Sequence, residues 1–249
     1  MSKFISKQSV AIWYALTALL ATFLVGQVIL FFFPDRSSLG ASLLFILMNL
    51  IPMIVAAVFS LVLSEVNSLG EFFKKVFLQK ESSLSWILAF FIPVIYYGIS
   101  ILLMNVRFTG NSLLAFFLYF PWTLLYGGLE EVGWRWFLQD HLSFSKHFIA
   151  KMMVLSIVCF LWHIPIYQLP WITAGSSNYL IFYLMILGNA FLFGALKEYS
   201  KGAVPCILAH MLIDSLAVLM LVQSSLPQII LLVSFEILVA SWLVTIRKS

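Results

Sequence analysis

Two adjacent glutamates, Glu130 and Glu131, lie inside one of the most apolar stretches of the chain. A carboxylate at membrane depth costs roughly 2.5–3.5 kcal/mol on insertion scales, so a pair of them needs a chemical reason. Arg135 follows Glu131 by four residues, which is the favourable order for an ion pair on a helix. Glu130 points about 100 degrees away, toward Trp134, and gains no such partner. We therefore expect Arg135 to give Glu131 structural support, and Glu130 to serve as a general base.

Two histidines later in the chain could complete a site around the glutamates. His163 lies just before Pro165. His210 is followed four residues later by Asp214, which could orient its imidazole. Side chains that project from three helices into a bundle core can meet at one water or one metal ion, and Glu130, His163 and His210 form such a set. The alternatives are that His163 is a hydrogen-bonded packing residue and that His210 pairs only locally with Asp214.

The composition places these residues in a membrane. Of the 249 residues, 63% are hydrophobic and only 10% are charged, whereas a soluble domain carries about 25% charged residues. A water-facing surface cannot be built from this composition, which excludes an ordinary soluble domain. The net charge of +4 is explained by lysines on one side of a bilayer, so no nucleic-acid partner is expected. Two cysteines give no disulfide framework.

Eight apolar segments are long enough to be helical spans of roughly 20 residues each. They are residues 10–33, 41–63, 84–104, 113–138, 148–167, 179–196, 203–222 and 228–246. The first is too long for the apolar region of a signal peptide, so we interpret it as a retained span. The sequence therefore predicts an all-α, polytopic membrane helix bundle of about eight transmembrane helices, with residues 1–249 forming a single domain.

The loop charges predict the orientation of the bundle. In the eight-span interpretation, one side of the membrane carries nearly all the basic residues outside the spans, namely Lys3, Lys7, Lys74, Lys75, Lys80, Lys146, Lys151, Lys197, Lys201, Arg247 and Lys248. By the positive-inside rule both termini are cytoplasmic, and from its depth the site is expected to open to the cytoplasm. Residues 71–80 form either a short interfacial helix or an ordinary basic loop. The lysine- and phenylalanine-rich composition favours a bacterial cell membrane.

The order of these polar residues resembles that of a known protease family. Residues 130–135 match the EExxxR motif of the CPBP family, which includes the type II CAAX prenyl endopeptidases. His210 and Asp214 match the family's later HxxxN or HxxxD motif. The resemblance covers residues 126–215 and agrees with the eight-span count.

The family's second motif, FxxxH, is matched less closely. His163 stands in the place of its histidine, but Phe160 lies one position late and Cys159 occupies the aromatic position. We expect Phe160 to be a packing residue and His163 to keep its role in the site.

The resemblance implies an intramembrane endopeptidase in which Glu130 activates a water with help from His163. His210 and Asp214 would stabilise the oxyanion or complete the site beside Glu131. An ionised Asp214 cannot donate a hydrogen bond, so it would have to be protonated or act on His210 or a metal. The same residues would serve a metal-free glutamate mechanism or a site holding zinc through Glu130, His163 and His210.

The substrate implied by the resemblance is a hydrophobic or lipidated peptide, such as a CAAX-like tail, a leader peptide or a secreted precursor. The resemblance also allows for a family member that is not an enzyme. The alternative is therefore a non-catalytic bacteriocin self-immunity protein or a membrane scaffold of the same fold.

Three further polar residues fall outside the family pattern. Cys159 and Cys206 each precede a motif histidine by four residues, which suggests either two Cys/His pairs for a structural zinc or two small apolar packing residues. Glu236 lies in the last span, where we expect it to pair with a polar group such as Asn189 or to line the cavity.

Overall fold

Ten α-helices and one short β-ribbon build the part of the molecule that the structure describes. The computed structural model describes residues 6–33, 38–144, 146–172, 178–222 and 225–248. The elements are α1 (Lys7–Phe32), α2 (Leu39–Val62), α3 (Leu69–Phe77), α4 (Ser83–Leu102), β1 (Val106–Phe108), α5 (Leu113–Thr123), α6 (Gln139–His141), α7 (Phe148–Tyr167), α8 (Tyr179–Tyr199), α9 (Val204–Leu216), β2 (Met220–Val222) and α10 (Leu226–Lys248). The predicted all-α polytopic bundle is confirmed.

Serine side chains define where the first four helices begin. Ser6, Ser38, Ser68 and Ser82 each accept a hydrogen bond from the backbone N–H three residues later, which satisfies a donor that the first turn leaves free. Between these starts and the helix ends, the sequences are almost wholly apolar. Many of their large side chains face outward, including Trp13 and the other exposed aromatics of the spans. Such a surface suits lipid rather than water.

Six helices are long and apolar enough to cross a membrane, and a bent pair makes up to seven in the described part of the chain. The bent pair replaces the predicted straight span 113–138. Residues Leu113–Gly128 and Val132–His141 meet at 45°, with π-helical turns at Leu124–Gly128 and Val132–Leu138. Glu130 and Glu131 therefore lie at a break in a helix, which agrees with the known link between π-helical turns and sharp kinks.

The predicted seventh span, 203–222, is a helix followed by a strand. Helix α9 has 13 residues and is therefore about 20 Å long, shorter than a bilayer core of about 30 Å. The chain then extends into β2, which pairs antiparallel with β1. The count of eight transmembrane helices stays a prediction.

Hydrogen bonds and ion pairs connect the helix ends on one side of the bundle, which we call the basic end. Gln8 at the start of α1 accepts from the backbone of residues 143–144, and Glu81 before α4 accepts from the backbone of residues 201–202 before α9. Arg247 at the end of α10 pairs with Glu198 at the end of α8, at 2.9 Å. The sequence predicts that one group of basic residues lies on the same side of the membrane. Those of them that the structure describes lie at these helix ends.

The opposite end of the bundle, which we call the ribbon end, is formed by the β1–β2 ribbon that follows α4 and α9. Thr109 donates its hydroxyl to the carbonyl of Val218 at 2.6 Å, and Arg107 lies in β1. The two ends therefore differ sharply in basic charge.

The predicted interfacial segment is a helix. Helix α3 buries Phe72 and Val76 and presents lysines to solvent. Lys75 pairs with Glu71 at 2.9 Å and donates to the carbonyl of Glu65. The helix is therefore an amphipathic element of the basic end.

Candidate active site

Two glycines allow helix α9 to approach the break in the bent span. A Cβ atom on Gly127 would lie 2.5 Å from Asp214 Oδ2 and 3.0 Å from His210 Nε2. A Cβ on Gly128 would lie 2.9 Å from Met211. The Gly-Gly pair before the glutamates thus brings His210 and Asp214 beside them, because no other residue type leaves that space.

Glu131 forms the ion pair that the sequence predicts. Arg135 donates its Nε–H to Glu131 Oε2 at 2.8 Å, and the two side chains are only 3% and 2% exposed. Arg135 also donates from a terminal nitrogen to the carbonyl of Ala190 on α8, at 3.2 Å. The bent span is therefore anchored to its neighbour through the cation that neutralises Glu131.

His210 occupies the second oxygen of the same carboxylate. Its Nδ1 lies 2.7 Å from Glu131 Oε1 and 3.6 Å from Glu130 Oε1. Its Nε2 lies 3.5 Å from Asp214 Oδ2, which is long for a hydrogen bond. Glu131, and not Asp214 as the sequence suggested, therefore orients the imidazole most closely.

Glu130 differs from its neighbour because its carboxylate has, among the described residues, only a longer ion-pair contact, at 3.6 Å to His210 Nδ1. Its side chain is 5% exposed and forms no hydrogen bond to any residue that the structure describes. Both glutamates line a cavity of about 530 Å³ together with Trp134. A water in this cavity could therefore meet a free acceptor at Glu130, whereas both oxygens of Glu131 are already engaged.

His163 lines the same cavity from α7. Its Nδ1 lies 2.8 Å from the carbonyl of Cys159, which can only accept, so Nδ1 carries a proton. The lone pair of a neutral ring is then on Nε2. Rings of Trp162 and Phe182 pack edge-on against the imidazole. His163 is thus held as a potential acceptor, and the cavity gathers all five predicted catalytic residues and Arg135.

Position 159, and not the aromatic next to it, is turned to the cavity. Cys159 lines the cavity, whereas Phe160 packs on the rings of Tyr179, Phe182 and Tyr183. This agrees with the packing role expected for Phe160. The Cys206 thiol lies 3.7 Å from the carbonyl of Phe193, a weak hydrogen bond within the core.

Several tyrosines of the cavity wall carry no sequence signal. Tyr97 donates its hydroxyl to the carbonyl of Ile213 at 2.8 Å, next to Asp214. Tyr126 and Tyr167 also line the cavity. Tyrosines are common in apolar spans, so only their placement around the cavity distinguishes these three from packing residues.

The donor set does not fit a zinc ion as it stands. Potential ligand atoms of Glu130, Glu131 and His210 lie within 4.8 Å of one another, and neither His163 nor a cysteine belongs to this group. Ligand atoms on one tetrahedral zinc lie roughly 3.3 Å apart, given bonds of about 2.0–2.2 Å. The 2.7 Å contact between His210 and Glu131 is shorter and contains a proton. These three side chains form a hydrogen-bonded network, and we route no chemical step through a metal.

Glu236 lies apart from the cavity. Its side chain is fully buried, and neither carboxyl oxygen has a hydrogen-bond partner among the described residues. It faces Gly188 on α8, where a Cβ would collide with the carboxyl group. The amide oxygen of Asn189 also lacks a partner among those residues, so the expected pairing with Asn189 is not formed.

The central part of the chain matches a known protein family. Residues 112–216 match the family model described as type II CAAX prenyl endopeptidase Rce1-like. No curated protein matches the chain. The matched stretch contains the glutamate pair, His163, His210 and Asp214, and supports a CAAX-type protease role in an integral membrane protein. Residues 112–216, somewhat less than half of the chain, are therefore similar to the Rce1-like proteins of the CAAX (CPBP) protease family.

Proposed function

We propose that this protein is an intramembrane endopeptidase in which Glu130 activates water to hydrolyse a peptide bond. The observation that carries this proposal is the inequality of the two glutamates. Glu131 is held by Arg135 at 2.8 Å and by His210 at 2.7 Å. Glu130 lines the same cavity with its carboxylate free to accept a proton.

The proposed reaction consumes one water for each peptide bond. Glu130 takes a proton from the water, and the oxygen of the resulting hydroxide bonds to the carbonyl carbon. When the tetrahedral intermediate collapses, the C–N bond breaks and Glu130 returns the proton to the leaving nitrogen. The products are a carboxylic acid and an amine, which become a carboxylate and an ammonium group once the remaining water proton is transferred, and Glu130 ends in its starting state.

The two histidines take different parts in this proposal. His163 offers the Nε2 lone pair to the attacking water, because its Nδ1 proton is committed to Cys159. His210 lies among three carboxylates, which favour its cationic form, and its Nε2 proton can stabilise the oxyanion. An ionised Asp214 cannot donate to the oxyanion, so its role is to support the charge on His210.

The expected substrate is an apolar or lipidated peptide. Aromatic and aliphatic side chains form most of the cavity wall, including Phe45, Tyr126 and Trp171. A lipid-embedded chain could approach such a wall without losing much hydration. The competing possibility is a binding protein of the same fold, such as a self-immunity factor, which would need the cavity but not the proton transfer at Glu130.

The test compares Glu130→Gln with wild type in liposomes. The probes are a pool of synthetic apolar peptides of about 20 residues and a farnesylated CAAX peptide, incubated in ¹⁸O-labelled water and analysed by mass spectrometry. Wild type should produce fragments with one ¹⁸O in the new carboxylate. Loss of general-base catalysis should slow this by at least about 100-fold in Glu130→Gln.

Glu198→Gln is the matched control, because Glu198 is paired with Arg247 at the basic end, outside the cavity. Its cleavage rate should remain that of wild type. Retention of cleavage by a folded Glu130→Gln variant would overturn the proposal. So would a wild-type protein that incorporates ¹⁸O into none of these peptides.

A further inference from the structure

The bundle is strongly polarised in charge. At the basic end, Lys74, Lys75, Lys80 and Lys201 are exposed around the starts of α4 and α9. At the ribbon end, the basic residue that the structure describes is Arg107. Positive charge accumulates on the cytoplasmic side of membrane proteins, so this asymmetry makes the basic end cytoplasmic.

The cavity is closed toward the basic end. From the glutamates toward the basic end, the bent span continues with Trp134, Phe137 and Leu138, each only 1% exposed. On the neighbouring helices, Leu196 near the end of α8 and Cys206 near the start of α9 are fully buried. These side chains belong to one hydrophobic core, and the cavity lining does not include Phe137, Leu138, Leu196 or Cys206.

Exposure rises in the other direction, along α9 toward β2. The side chain of Glu131 is 2% exposed, that of His210 16% and that of Asp214 36%. The cavity continues past Asp214 to Leu221, a β2 residue that is 38% exposed. The site therefore communicates with the surface at the ribbon end.

The described mouth of the cavity is apolar and aromatic. Phe45, Tyr119, Tyr126 and Trp171 contribute to its wall on the ribbon-end half of the bundle. Among the lining residues that the structure describes, the one lysine or arginine is Arg135. It lies deep in the cavity and is neutralised by Glu131. Such a mouth favours an uncharged, apolar segment of peptide.

We infer that the cavity opens to the extracytoplasmic half of the membrane and accepts an apolar segment of an exported peptide from that side. This rests on the proposed endopeptidase function, and it replaces the cytoplasmic opening expected from residue depth. On this inference the cytoplasmic tail of a prenylated protein, the substrate class named in the description of the matched family, would lie at the closed end of the cavity.

Single cysteines at the two ends of the bundle test the orientation without reference to activity. Leu221→Cys and Lys80→Cys would be treated with a membrane-impermeant maleimide in spheroplasts and in inverted membrane vesicles. We expect Leu221→Cys to react in spheroplasts and Lys80→Cys to react in inverted vesicles. Unmodified protein gives the background, which should be low because Cys159 and Cys206 are buried. The reverse labelling pattern would overturn the inference.

Blocking the mouth then tests whether substrate enters there. Alkylated Leu221→Cys should cleave the apolar probe peptides at least about tenfold more slowly than the unalkylated protein. Phe108→Cys is the matched control, because Phe108 lies on the partner strand, is 68% exposed and does not line the cavity. Its alkylation should leave cleavage unchanged. Equal inhibition of both variants, or of neither, would overturn the entry route.

The two proposals fail separately in these experiments. If Leu221→Cys labels only in inverted vesicles while wild type still incorporates ¹⁸O, the extracytoplasmic opening is wrong and the protease stands. If labelling is as expected but no peptide is hydrolysed, the protease is wrong, and with it the substrate class.

Discussion

Two regions of the bundle bury a glutamate in very different surroundings. Around Glu131, a guanidinium and an imidazole engage both carboxylate oxygens, and a cavity lies alongside. Around Glu236, between α8 and α10, no described residue offers a hydrogen bond, and the side chain does not line the cavity of the site. A buried acid is therefore not by itself a mark of a functional site. Glu131 differs from Glu236 in having a bonded counter-charge and in lining a cavity.

The largest effect should come from removing the counter-charge. Arg135→Leu leaves Glu131 buried without its cation, which should lower the free energy of unfolding by about 3–5 kcal/mol. Arg135→Lys is the control, because it keeps the charge but loses the fork that also reaches Ala190. Its loss should be smaller. Thermal unfolding in detergent measures both, and an unchanged Arg135→Leu would contradict the role given to the ion pair.

Filling the space at Gly127 should damage activity more than stability. The added Cβ of Gly127→Ala would press on Asp214 and His210, whose side-chain ends can move at modest cost. Peptide cleavage should fall by about tenfold or more, because the histidine and the carboxylate are displaced from the glutamates. Gly98→Ala, with nothing within 4 Å of its new Cβ, is the matched control and should cleave normally. Equal activities would show that Gly127 does not set the site geometry.

Neutralising Glu236 should change little. Glu236→Gln keeps the shape of the side chain and removes a carboxyl group that has no described partner. The free energy of unfolding should stay constant or rise by up to about 1 kcal/mol, since no ion pair is lost. Cleavage should remain at the wild-type rate. A marked loss of either would show that Glu236 has a partner in the membrane and would remove the contrast with Glu131.

A water-facing glutamate–histidine pair should give the smallest effect. At the basic end, His141 lies 2.9 Å from Glu65, whose side chain is 39% exposed. The hydrogen bond with His141 lowers the pKa of Glu65 below its ordinary value of 4.5. The pair therefore stabilises the fold above that value and loses its contribution as the pH falls through the lowered pKa.

Because solvent screens this pair, its contribution should be roughly half a kcal/mol. Thermal unfolding of wild type and Glu65→Gln from pH 7 to pH 3 measures it. The advantage of wild type should shrink as the pH falls. An advantage that grows at low pH would have the wrong sign and would contradict the assignment.

Local spacing in the sequence was enough to predict much of the site. The Glu131–Arg135 pair needs only four residues of one helix, and it forms even though the segment is π-helical. The motif order likewise predicted that His163 and His210 would line one cavity with the glutamates. Composition and loop charges predicted the membrane bundle and the common location of the lysines.

Contacts between distant segments could not be predicted in this way. The choice of Glu131 over Asp214 as the close partner of His210 depends on the bend of 45° and on two glycines that admit α9. The isolation of Glu236 depends on which face of α10 meets Gly188. The direction in which the cavity is closed depends on core packing between three helices.

The sequence by itself determined which residues carry charge in the membrane, which of them are near neighbours on a helix, and on which end the lysines gather. Only the tertiary structure decided which carboxylate is left free, which acid is left alone and where the cavity opens. The physical reason is that helix periodicity fixes spacing within a segment. The rotation, bend and approach of one helix against another are instead set by packing across the whole bundle.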